Sequence, residues 1–121
     1  MKRITVVLLL AAVWSTAAMA ADKDDARVAM AQAQAAVQAA ENADAGTAAS
    51  TEMRAARDNL TAAQGASERR NWDAAVLSAQ KAAADANLAS ARARQKRATS
   101  ATNEIEASLD SLRQQLGQQG S

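Results

Sequence analysis

The sequence predicts an all-α protein: an up-down-up three-helix bundle whose long last helix continues as a coiled-coil-like extension. Three observations predict it. Residues 21–121 contain 31 alanines, and alanine has the highest intrinsic helix propensity. Proline is absent, and only Gly46, Gly65, Gly117 and Gly120 interrupt the chain. Small and apolar residues recur at alternating spacings of three and four, the period of one helix face rather than of a strand.

Residues 1–20 read as an export leader. Lys2 and Arg3 are followed by an apolar run from Ile4 to Val13, and Ala18 and Ala20 occupy the small-residue positions that a signal peptidase recognises. The run is about half the length of a membrane span, which needs about 20 apolar residues. Cleavage is therefore expected after Ala20, leaving residues 21–121 as a single helical domain in the periplasm. With no cysteine there is no lipid attachment site, no disulfide and no thiolate metal site.

The first helix is expected over about residues 22–45. Asp22, Asp24 and Asp25 suit the positive end of its dipole. Ala26, Met30, Ala33, Val37 and Ala40 form its apolar stripe, and Gly46 is a natural stop. The second is expected over about 50–70, opening at Thr47 or Ser50. It presents Met53, Ala56, Leu60, Ala63 and Ala66 on one face, with Gly65 weakening it by about 1 kcal/mol relative to alanine.

Asn71 reads as the N-cap of the third helix, expected over about 72–116. One seam follows it at spacings of four and three: Leu77, Lys81, Ala84, Leu88, Ala91, Gln95, Ala98, Thr102, Ile105, Leu109, Leu112 and Leu116. The competing layout breaks the helix at residues 98–103, where Asn103 and Glu106 resemble a capping box.

Length then becomes decisive. At about 1.5 Å per residue the first two helices are roughly half as long as the third. The bundle shelters the third helix only to about Arg94, and the remainder projects. Charges favour that threading, with Asp22, Asp24 and Asp25 beside Arg69 and Arg70. At the other end, Glu41, Asp44 and Glu52 lie near Arg92, Arg94, Lys96 and Arg97.

The stretch Asn71–Ala82 has the look of a tetratricopeptide-type helical turn, but no self-similarity at its period of roughly 34 residues accompanies it. A wider pattern runs from Leu60, Ala63 and Ala66 through Arg70-Asn71-Trp72-Asp73 and Ala75 to Ala82, Asp85-Ala86, Leu88-Ala89, Ala91 and Ala93. Over residues 26 to 116 this resembles family 4398 of domains of unknown function, small alanine-rich envelope proteins. Arg70-Asn71-Trp72 stands where that family tends to have Gly-Asp-Tyr. The resemblance implies a helical bundle in the cell envelope and brings no catalytic residues with it. Many members look like lipoproteins, and anchoring does not carry over without a cysteine.

Composition narrows the chemistry. Histidine, cysteine and tyrosine are all absent, which removes the commonest general base, the thiol nucleophile and the usual transition-metal ligands. No enzymatic activity and no cofactor are expected. Asp22, Asp24 and Asp25 read as a helix start rather than a metal site. Residues 21–121 carry 12 basic and 13 acidic residues, so a nucleic-acid partner, which needs a cationic surplus, is not expected. Trp72 is the single aromatic beyond the leader and reads as a plug in the turn before the third helix. Arg92 and Lys96 share one helix face and Arg94 and Arg97 another, so they form no single anionic-ligand patch.

The feature that points to function is the stripe Ile105, Leu109, Leu112 and Leu116. It predicts self-association as a homo-oligomer, docking on another envelope protein, or a fold-back onto the chain itself. Peripheral membrane contact or a stress-protective amphipathic role is the alternative, since marginal alanine-rich helices can order on lipid.

Overall fold

A computed structural model of the protein describes residues 20–120, and all the secondary structure within that range is helical. The expected leader lies outside the described residues apart from Ala20, which is exposed and non-helical. Helix α1 spans Lys23–Asn42, the short α2 Ala45–Ala48, α3 Ser50–Glu68 and α4 Trp72–Gln119. Helices α1, α3 and the first half of α4 form the up-down-up bundle, and α4 runs on alone.

Local chemistry fixes each boundary. Asp22 caps α1 by accepting from the backbone N–H groups of Asp24 and Asp25 at 2.8 and 2.9 Å. Asp25 accepts in return from the N–H of Asp22 at 3.1 Å, which completes a capping box. Helix α1 ends at Asn42, earlier than expected, because Asp44 turns left-handed at φ 58°. A short aspartate tolerates that conformation. Gly46 therefore stops nothing and sits inside α2, a turn of helix that the sequence reading did not foresee.

The second turn is a Schellman motif. Arg70 is left-handed at φ 57°, its N–H donates to the Ser67 carbonyl at 3.0 Å, and the Asn71 N–H reaches the Ala66 carbonyl at 2.9 Å. Asn71 then caps α4 as expected, accepting from the Ala74 N–H at 3.3 Å.

Alanine dominates the core. Ala26, Ala29, Ala33, Val37 and Ala40 from α1 meet Met53, Ala56, Ala63 and Ala66 from α3. Leu60, on the same face of α3, is partly buried against them, as is Met30. Met53 is the largest fully buried side chain. So thin a core supplies little burial energy per residue, at about 25 cal/mol per Å² of apolar surface. What it permits is close approach of the helix backbones.

The contribution of α4 corrects the sequence reading. Its buried residues are Ala75, Ala79, Ala82, Ala86, Ala89, Ser90 and Ala93, whereas the seam residues Leu77 and Leu88 are exposed. Leucine is too large for the narrow space between these helices, and the alanine face turns inward instead. The predicted seam lies along the outside of the bundle.

Candidate functional site

Helix α4 is continuous from Trp72 to Gln119, so the layout with a break at residues 98–103 does not occur. Thr102, among the weaker helix formers there, sends its hydroxyl back to the Ala98 carbonyl at 3.0 Å. The last attachment of α4 to the bundle is Arg97. Its guanidinium donates to the Ala43 carbonyl at 3.0 Å, at the C-terminus of α1, and lies 3.9 Å from Asp44.

Every residue from Arg94 to Gly120 is exposed. On that projecting arm Ile105, Leu109, Leu112 and Leu116 retain 62%, 46%, 54% and 68% of their accessible surface. Their spacings of four, three and four set them on one face. Single exposed leucines are ordinary, whereas these four form a continuous apolar stripe along one helix face. Fold-back onto the bundle does not occur in the chain. The positions that continue the bundle face are the polar Arg97, Ser100, Glu104 and Ser111 with the small Ala107, so the arm has no large inward apolar side chain to return with. Ser108 donates to the Glu104 carbonyl at 2.8 Å.

The structure separates the basic residues at the base of the arm. Arg92 pairs with Glu52 and Arg97 reaches α1, while Arg94 and Lys96 face solvent. Glu41, expected beside this group, pairs instead with Arg57 at 3.0 Å. At the opposite end the expected pairing of Asp22, Asp24 and Asp25 with Arg69 and Arg70 is absent among the described residues. Asp24 pairs within α1 with Arg27 at 3.5 Å, and Asp22 and Asp25 are engaged in the cap. The threading still holds: the backbone N–H of Ala21 donates to Asp73 at 2.8 Å, joining the starts of α1 and α4.

Trp72 is half-buried against Ala26, Ala66 and Ala75, where all three helices meet. Among the described residues no group of three or more histidine, cysteine or acidic side chains is placed to hold a metal ion. No described helix is long and apolar enough to cross a membrane.

The family model described as "Domain of unknown function (DUF4398)" matches residues 28–105, well over half of the sequence. The chain belongs to this family. No curated protein and no solved structure matches it. The DUF4398 match runs from the second turn of α1 to Ile105 and so takes in nearly all of the bundle and the base of the arm. It includes Arg70, whose left-handed backbone is one that glycine adopts without steric cost.

Proposed function

We propose that the protein is a non-enzymatic structural or interaction component of the bacterial-type periplasm, and that it joins copies of itself through the arm of α4. The observation that carries this reading is the exposed stripe Ile105, Leu109, Leu112 and Leu116 on a helix that has left its own bundle. Covering a large aliphatic side chain is worth about 1.5–3 kcal/mol. Four such residues from each copy supply enough to offset the cost of association, which begins at about 4 kcal/mol. Export is supported by the leader sequence at residues 1–20, and a non-enzymatic role by the residue types the chain lacks.

The test is sedimentation analysis of protein recovered from the periplasmic fraction of cells expressing the full sequence. The unaltered protein should sediment as a concentration-dependent oligomer. Leu109→Asp with Leu112→Asp should shift it to a monomer while leaving its helical circular dichroism in place. A monomeric unaltered protein at high micromolar concentration would refute self-association. Recovery only from the cytoplasm, with residues 1–20 retained, would refute export.

A further inference from the structure

The exposed apolar residues of α4 do not stop at the arm. Leu77 and Leu88, on the outer face of the bundle, keep 53% and 46% of their surface and fall in the same heptad seam as the four arm residues. Lys81, Leu88, Gln95, Thr102, Leu109 and Leu116 occupy one core position of that seam. Leu77, Ala84, Ala91, Ala98, Ile105 and Leu112 occupy the other. A straight helix drifts from a seven-residue repeat by about 20° per heptad, and a left-handed supercoil removes that drift. The whole outer edge of α4 is thus one potential helix-pairing surface.

Resting on the self-association reading above, we propose that two copies pair antiparallel, each arm lying along the outer face of the partner's bundle, with the two-fold axis beside Ser100. In this register Leu88 faces the partner's Leu112, Ala84 the partner's Leu116 and Ala91 the partner's Leu109. Two of these layers set an alanine against a leucine, and in the third Leu88 and Leu112 cover one another. The overlap runs from residue 81 to residue 119, about 57 Å at 1.5 Å per residue. That length brings the contact toward the roughly 1,200–2,000 Å² that specific complexes bury.

Charge selects this register over its neighbours. In an antiparallel pair the residues that follow Ala84, Ala91, Ile105 and Leu112 flank the core and face their equivalents. Here Asp85 meets the partner's Arg113 and Arg92 meets the partner's Glu106, each pair formed twice by symmetry. Sliding one heptad in one direction sets Asp85 against the partner's Glu106. Sliding one heptad the other way sets Arg92 against the partner's Arg113, and a second such slide sets Glu106 against its own equivalent. A third slide restores one attraction, Glu106 with the partner's Arg113, but shortens the overlap to residues 102–119 and leaves Leu88 uncovered. A parallel pair in register puts Lys81 against its own equivalent in the core. Asp85 accepts a bond from Asn59 and Arg92 one acceptor, Glu52, so both keep capacity for a second partner.

The sequence has no cysteine, so introduced ones report cleanly on register. In the full-length protein, Ala101→Cys lies beside its own equivalent across the proposed axis, and a short bis-maleimide should join it into a dimer in high yield. Gln95→Cys faces itself in the parallel pair, whereas in the proposed register it lies about 15 Å along the axis from its equivalent, beyond reach of the short linker. A mixture of Ser108→Cys and Gln115→Cys chains crosslinks only in the shorter antiparallel register. The double variant Glu106→Arg with Arg113→Glu turns both proposed attractions into repulsions. It should raise the dimer dissociation constant about tenfold. In the shorter register the same exchange merely swaps partners and leaves affinity unchanged. A dimer that crosslinks through Gln95→Cys, or through Ser108→Cys with Gln115→Cys, overturns this register and leaves self-association standing. A chain that stays monomeric overturns both.

Discussion

Arg70 holds the second turn in a conformation that L-residues avoid, at a cost of about 1–2 kcal/mol. Replacing it with glycine relieves the cost while keeping both turn hydrogen bonds, which involve only the backbone. Arg70→Gly should raise stability by about 1 kcal/mol in urea denaturation. Gly65 is the reverse case, because it lies in helical backbone within α3. A Cβ there would meet only the end of the Arg69 side chain, at 3.7 Å. Gly65→Ala should therefore add about 0.5–1 kcal/mol, read by the same titration. Asn71 was legible because an N-cap is written in a single side chain. The left-handed states of Arg70 and Asp44 were not, since arginine rarely adopts that conformation and aspartate, which tolerates it, adopts it at few of its positions; α2 follows from the second of them.

Among the elements, the buried faces of α1 and α3 were legible, since their larger apolar side chains, Val37, Met53 and Leu60, fall on the buried or partly buried stripe and mark it. Helix α4 was read correctly in extent and incorrectly in facing. Its large residues mark the outside, and an alanine stripe gives no contrast against the alanines on every other face. The arm was legible through length, because no short helix can shelter a long one to its end. It follows that the bundle does not need the arm. A chain ending at Ser100 should keep its thermal midpoint within about 3 °C of the full chain when both are measured dilute enough to be single chains. The same shortened chain should show no concentration-dependent sedimentation. A large loss of midpoint would mean that the arm packs on its own bundle after all.

Across the whole molecule, the buried surface is built from the smallest side chain that still has a Cβ. Ala33, Ala40, Ala56, Ala63, Ala79, Ala82, Ala86 and Ala89 are fully buried, with Met53 the one large side chain sealed among them. At Ala86, leucine must push two helices apart, and overpacking of this kind costs about 1–3 kcal/mol. Ala86→Leu should lower the urea midpoint by that amount, and Ala107→Leu, on the exposed arm, should leave it unchanged. Candidate-site legibility divides the same way: large side chains outside were visible in the sequence, and small ones inside were not.

The alanine interior also reverses the usual hazard of mutation. Most folded proteins are injured by trimming, because a shortened side chain opens a hole. Here almost nothing can be trimmed, and the damaging direction is growth. Neutral change at the α1–α3–α4 contacts is confined to the few residues of comparable size, as the buried Ser90 already illustrates.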